Sequence, residues 1–423
     1  MRIRIEGRRP LNGVYRPAGN PNAAQALIAA ALMTEAPVTL RNMPRTRTTD
    51  AMLAAAASLG AVINEHDDAI TIQTAQLTRR VLTQAETDVS VGAILFIAPL
   101  LIRRQHVRLE LDMPLSRIRT HLEALRDLGI DVVINGNAVE FKVAGWERKT
   151  ILLTQASVTA TALVMMLAVR LGRETTIYNA ACEPHVQQLA DALNTMMGTN
   201  GARIEGIGSN VLRIYGASEL GGADVTICTD HIEAASIAAM AAMTGGRAQI
   251  EGVRPADMGL IAKIFWRLGV QLDIDEGGIF VPRHDALTVS NRDEDVDASI
   301  ESAPWPGFPS DLVAVATVIA TQARGTSLIH EKMFNNRLLF VDKLKAMGAQ
   351  IVLCDPHRAI VVGQTPLRGV YMDSPDVRAG LGMIAAALVA DGVSTIDNAQ
   401  AVDHTFAGAL GKLRALNAGI ELV

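Results

Sequence analysis

The sequence predicts a two-domain α/β protein in which each domain is an inside-out α/β barrel of three repeated units, and three observations predict it. A helix, a small turn and an alternating strand recur six times at intervals of about 70 residues. A second helix, apolar on nearly every side, recurs with the same period. At 423 residues the chain is also too long for one ordinary hydrophobic core.

The turn copies come in order as Leu59-Gly60-Ala61-Val62-Ile63, Leu128-Gly129-Ile130-Asp131-Val132, Asn200-Gly201-Ala202-Arg203-Ile204, Leu268-Gly269-Val270-Gln271-Leu272, Met347-Gly348-Ala349-Gln350-Ile351 and Leu416-Asn417-Ala418-Gly419-Ile420. Glycine, or Asn417 in the last copy, stands where a helix ends in a left-handed residue. The apolar helices are expected over Ala26–Met33, Ile94–Ile102, Ala162–Val169, Ile237–Met243, Leu312–Ala320 and Leu381–Leu388, each running through a polar or glycine-containing turn into a strand. Helices apolar all round belong in an interior. Three units closing about a pseudo-threefold axis bury such helices and place strands outside; six units make two domains. An ordinary doubly wound sheet is the alternative, but it has neither this period nor such helices.

Composition narrows the function. Hydrophobic residues make up 49% and aromatics 4%, which suits closely packed helices. The net charge is −5 and the basic residues are dispersed, so nucleic acid is not an expected partner. Cys182, Cys228 and Cys354 are far apart and outside any metal-binding spacing, so neither disulfides nor a metal site is expected. The N-terminus alternates like a strand, and the longest apolar run, Val91 to Ile102, stops at Arg103-Arg104, short of the ~20 residues a membrane crossing needs. A cytoplasmic location without a membrane partner is the expectation.

Local sequence then adds a resemblance. Gly19-Asn20-Pro21-Asn22-Ala23-Ala24, Asn179-Ala180-Ala181-Cys182-Glu183-Pro184, Thr229-Asp230-His231-Ile232-Glu233, the run from Ala303 to Asp311, Phe334-Asn335-Asn336-Arg337 and Asp376-Val377-Arg378-Ala379 follow one another in an order and spacing that resemble the enolpyruvyl transferases. Within that family the pattern is closest to the members that act on UDP-N-acetylglucosamine in peptidoglycan precursor synthesis. The resemblance implies a split domain, residues 1–21 with 229–423, and a second domain of residues 22–228. It further implies transfer of the enolpyruvyl group of phosphoenolpyruvate to a hydroxyl of that sugar nucleotide or a related acceptor, with release of phosphate. Small molecules are then the only expected partners, and no cofactor is required.

Such chemistry needs a general acid, a base and cations for a carboxylate and a phosphate. By resemblance, Asp311 faces the acceptor hydroxyl, Arg337 and Arg378 hold phosphoenolpyruvate, and Asn22, Glu183, Asp230 and Glu233 are polar positions of the active site. Other positions depart from the family. Pro21 stands where a lysine is expected, Val91 where an arginine is, His404 where a phosphate-binding arginine is, and Asn335 where an acidic residue is. The loop that carries the general acid is shortened to Leu111-Asp112-Met113-Pro114-Leu115-Ser116-Arg117 and has no cysteine; Asp112 is its candidate acid, and Arg117 begins the altered nucleotide-binding motif.

Each position also has a plainer reading. Asp311 precedes an apolar helix and can act as its N-cap, although Ser310 can do the same. Arg337 can be a surface arginine, while Arg378 opens an apolar helix, where an unpaired cation is costly. Asp112 can be a solvated loop residue, and His404 either binds phosphate when protonated or fills space. Cys182, beside Glu183, reads as a buried structural cysteine. Because two or three phosphate-contacting charges are replaced together, an acceptor-switched or non-catalytic paralogue is the alternative to the enzyme.

Overall fold

The computed structural model describes residues 1–198, 201–290, 299–375 and 379–423. Contacts divide the chain into one unit of Met1–Ala18 with Thr229–Val423 and another of Gly19–Cys228. The first boundary falls before Gly19 and not after Pro21. The Asn20 backbone N–H donates to the Cys228 carbonyl at 2.7 Å, and its side-chain oxygen accepts from the N–H groups of Asn22 and Ala23, both at 3.0 Å. Asn20 therefore caps helix Pro21–Ala31 and belongs with it.

The Gly19–Cys228 unit contains three four-stranded sheets of one pattern. In the second, Val81–Leu82 runs parallel to His106–Glu110, which pairs antiparallel with Ala138–Lys142, itself antiparallel to Asp131–Asn135. Trp146–Leu152, Gly172–Tyr178, Val211–Tyr215 and Arg203–Glu205 repeat that order. The first sheet takes its parallel edge, Ala223–Thr226, from the far end of the unit, against Val38–Arg41. It is completed by Ala69–Gln73 and Val62–His66.

The other unit repeats the pattern and draws on the N-terminus twice. Asn12–Tyr15 forms the parallel edge beside Arg247–Glu251, and Ile3–Glu6 lies antiparallel between Val393–Ile396 and Gly419–Leu422. The sheet built on Ala323–His330 has five strands among the described residues, because Ser299–Glu301 also pairs with it.

In every sheet the second strand follows a buried helix: Pro21–Ala31, Ile97–Arg104, Val158–Leu171, His231–Met243, Val313–Gln322 and Gly382–Val389. Their all-round apolar sequence is what burial on every side demands. In Val158–Leu171 each residue from Ala160 to Val169 is buried. The helix expected from Ile94 begins instead as a 3-10 turn, Val91–Phe96, and becomes an α-helix at Ile97, which places Pro99 in the first turn, where its missing N–H is not needed. Each unit has its own hydrophobic cluster. The six turn residues all have positive φ, from 76° at Asn417 to 111° at Gly60.

Among the described residues no helix is long and apolar enough to cross a membrane, and no group of His, Cys, Asp and Glu has the proximity to hold a metal ion.

Candidate active site

In the unit containing both termini, the segment after Ser302 folds back tightly before the second of the unit's three buried helices, Val313–Gln322. Ala303 N–H donates to the Phe308 carbonyl and Gly307 N–H to Pro304, and a Cβ at Gly307 would lie 2.6 Å from that of Ala303. Only glycine fits there. Phe308 then anchors the loop in the core, edge-on to Phe265.

This delivers Asp311 to a 3-10 turn, Ser310–Leu312, with its carboxylate about half exposed. Arg337 Nη1 donates to Asp311 Oδ1 at 2.9 Å, and the guanidinium lies 4.9 Å from the Phe334 ring centroid. Arg337 is mostly covered, with 21% of its side chain exposed, so it is an oriented cation and not a free surface arginine. Neither the turn nor helix Val313–Gln322 has a side-chain cap, which removes the capping alternative for Asp311. The hydroxyl of Ser310 donates to Glu331 instead.

Asp230 and Glu233 face inward. Asp230 caps helix His231–Met243, accepting from the N–H groups of Ile232 at 2.9 Å and Glu233 at 3.3 Å. Burial, and then the negative Glu233, push its carboxyl up to about 7 against those hydrogen bonds, with Asp311 adding to the rise. Glu233 is buried and accepts from the Tyr15 hydroxyl at 2.6 Å, Ala18 N–H at 3.1 Å and Lys412 Nζ at 3.1 Å. Burial and this carboxylate push the Tyr15 phenol far above its usual range.

His404 ends the turn Ala399–His404, half-buried beside Asp403, whose carboxyl is raised by burial and lowered by the histidine. Two residues on, Phe406 packs beside Gly380, and a Cβ at Gly380 would stand 3.9 Å from the Asp311 carbonyl. The His404 turn and the Asp311 turn thus approach the same glycine. Arg378 lies outside the described residues.

Two cavities of the Gly19–Cys228 unit, among the described residues, bear on the site. The smaller, about 170 Å³, is lined by Asn22, Gln25, Ser90, Val91, Thr159 and His185 with apolar neighbours. Asn22 and Val91, singled out separately in the sequence by resemblance, share this wall. Gln25 Oε1 accepts from Ser90 Oγ at 2.5 Å, and among the described residues no Lys or Arg lines the cavity. The larger, about 300 Å³, brings Arg117 together with Arg119, His121, Thr154, Gln155 and Ser157. His121 Nε2 lies 2.8 Å from Thr159 Oγ1, linking the two walls, and burial pushes its pKa down to about 4.

Asp112 is exposed in a bend, and its carboxylate makes no hydrogen bond among the described residues. Glu183 is half-buried at the start of helix Pro184–Met197, accepting through its backbone carbonyl from Val186 and Gln187. Burial, and then Glu183, push the Cys182 thiol up, which disfavours a nucleophilic thiolate.

The sequence reading missed Glu331, His121, His185 and Gln155. For Glu331 a signal existed: Ala323, Ser327 and Ile329 are the buried positions of their strand, all odd-numbered, and Glu331 continues that inward phase.

Comparison with known proteins places the whole chain in a family. The family described as EPSP synthase (3-phosphoshikimate 1-carboxyvinyltransferase) matches residues 5–413. The UDP-N-acetylglucosamine 1-carboxyvinyltransferase of Bacteroides fragilis is 38% identical over 99% of this chain and 99% of its own, and that of Bradyrhizobium diazoefficiens is 40% identical over 99% and 97%. Among solved structures, the enolpyruvyl transferase NikO of Streptomyces tendae superposes with a TM-score of 0.87 at 20% identity, over 99% of this chain and 98% of that one. The EPSP synthase of Acinetobacter baumannii does so at 0.74 and 18%, over 99% of each. The two structures share the fold, and the full-length sequence match carries the relationship further: this chain belongs to the EPSP synthase, or enolpyruvyl (1-carboxyvinyl) transferase, family.

Proposed function

We propose that the protein transfers the enolpyruvyl group of phosphoenolpyruvate to a hydroxyl of UDP-N-acetylglucosamine, releasing phosphate, as a step of peptidoglycan precursor synthesis. The observation that carries the reading is end-to-end similarity, at 38–40% identity, to enzymes of that name. The three sheets of each unit, wrapped around helices buried on all sides, are read as one inside-out barrel per unit.

The acceptor oxygen bonds to C2 of phosphoenolpyruvate as C3 gains a proton; phosphate then leaves C2 as C3 gives a proton up. Asp311, half exposed, takes the hydroxyl proton, and Arg337 offers a forked cation to the carboxylate or phosphate of phosphoenolpyruvate. Arg378 and His404 are assigned to the same anion, with His404 acting when protonated. Asp112, the one acidic side chain in Leu111–Arg117, is assigned the proton donor role at C3. Asn22, Arg117 and Glu183 are assigned to the acceptor, and the buried Asp230 and Glu233 to bracing the site.

The second reading, an acceptor-switched or non-catalytic paralogue, is favoured by one observation: among the described residues, no Lys or Arg lines the cavity that joins Asn22 to Val91. Phosphate release from phosphoenolpyruvate, assayed with UDP-N-acetylglucosamine and other hydroxyl acceptors, separates the two. Release that requires an acceptor and disappears in Asp311→Ala supports the transferase. Absence of release from folded protein, with every acceptor, supports the paralogue.

A further inference from the structure

Glu331 is fully buried at the end of strand Ala323–His330, and among the described residues no Lys or Arg pairs with it. Four donors surround its carboxylate. Oε1 accepts from Ser302 Oγ at 2.8 Å and from the N–H groups of Met333 at 2.8 Å and Phe334 at 3.1 Å, while Oε2 accepts from Ser310 Oγ at 2.6 Å. A buried carboxylate without a cation is costly unless donors satisfy it, and an acceptor-only group facing four donors meets that condition.

These donors lie on two segments. Ser310 immediately precedes Asp311. Met333 and Phe334 open the turn that leads to Arg337, whose guanidinium rests on the Phe334 ring and reaches back to Asp311. One buried side chain therefore ties down both ends of the partly exposed Asp311–Arg337 pair. We propose that Glu331 is the positioning residue of this pair, holding carboxylate and guanidinium at their working separation. Alone, a partly exposed ion pair has little energy with which to do so. The role rests on the transferase reading above and adds a residue to it.

Glu331→Gln is the informative variant. The amide oxygen retains the three Oε1 contacts and so the Met333–Phe334 turn, while the amide nitrogen faces Ser310 and makes its hydroxyl turn from donor to acceptor. Ser302→Ala is the comparison, because it removes a hydrogen bond to Glu331 Oε1 and the acceptor of the Lys332 N–H while leaving the Ser310 contact to Oε2 in place. Steady-state kinetics of phosphate release and thermal melting are measured for wild type, Glu331→Gln, Ser310→Ala and Ser302→Ala. The expected result is that Glu331→Gln and Ser310→Ala each lower kcat/KM by on the order of tenfold to a hundredfold. Ser302→Ala loses as much Tm but lowers kcat/KM by a smaller factor. If kcat/KM merely follows Tm across the three variants, or Glu331→Gln is as active as wild type, Glu331 is only structural. A wild type inactive with every acceptor overturns the transferase reading itself and this role with it.

Discussion

Arg337 Nη1 and Asp311 Oδ1 are 2.9 Å apart, and both belong to segments fastened beneath by the single carboxylate of Glu331. In the proposed transfer Asp311 is the base, half exposed beside an oriented, forked cation, which is the polarity that proton removal next to an anionic substrate requires. Asp311→Asn keeps the shape and removes the base, so kcat is expected to fall by roughly a hundredfold to ten-thousandfold with a smaller change in KM for phosphoenolpyruvate. Steady-state phosphate release measures both parameters.

Arg337→Lys preserves the charge but not the fork. A lysine ammonium is a point charge that cannot make a two-pronged contact or present a planar cation to Phe334. KM for phosphoenolpyruvate should rise by about tenfold or more for loss of a charge-assisted hydrogen bond, and a KM equal to wild type would remove Arg337 from substrate binding.

Asp230 gives a pH signature in stability. Its folded carboxyl titrates near 7, above the unfolded value, so between about pH 4 and pH 7 the unfolded chain loses this proton first. Its contribution to stability therefore declines as pH rises through that window. Asp230→Asn keeps an N-cap acceptor without the buried charge. Thermal melting should show the variant more stable than wild type at pH 8, with the difference closing toward pH 4; a constant offset across that range would contradict the account.

His121 behaves in the opposite sense. Burial holds its pKa near 4, below the unfolded value, so from about pH 6.5 downward the unfolded state takes up the proton first and this residue's contribution to stability falls. Its imidazole resonances, followed by NMR, should stay those of the neutral ring from pH 8 to about pH 5. Titration near 6.5 would contradict its burial between the two cavities.

The repeat turns differ in what they tolerate. Gly129 has φ of 86° and open space around it, with only Lys149 Nζ within 3.9 Å of an added Cβ. Gly269 has φ of 85°, but its Cβ would meet the Thr288 backbone nitrogen at 2.5 Å. Urea denaturation should show Gly129→Ala costing about 1–2 kcal/mol, the backbone cost of a left-handed alanine. Gly269→Ala should cost distinctly more, because a backbone clash adds to the same strain.

These turns also explain why the fold was so legible. Each copy requires a left-handed residue at a helix end, and the chemistry of that position leaves glycine or asparagine in the sequence at a fixed interval. The buried helices are legible for a related reason: burial on all sides removes the polar stripe. Strand exchange was not. Ile3 pairs with Ile396, and no local pattern announces a partner so distant in the chain. At the site, Asp311 and Arg337 emerged from resemblance, and the structure added why they are held together. Glu331 was passed over because a carboxylate normally signals solvent, and only its strand phase marked it as internal. Asp230-His231-Ile232-Glu233 carries the spacing of a capping box; Asp230 does cap, whereas Glu233 turns instead to Tyr15, Ala18 and Lys412.

The most direct test of the transferase reading is identification of the product by mass spectrometry and phosphorus NMR after incubation of the protein with phosphoenolpyruvate and UDP-N-acetylglucosamine. The expected result is a carboxyvinyl ether of the sugar nucleotide formed in step with inorganic phosphate, and abolished by Asp311→Ala. Recovery of both substrates unchanged from folded protein, or phosphate released without any new ether, would contradict it.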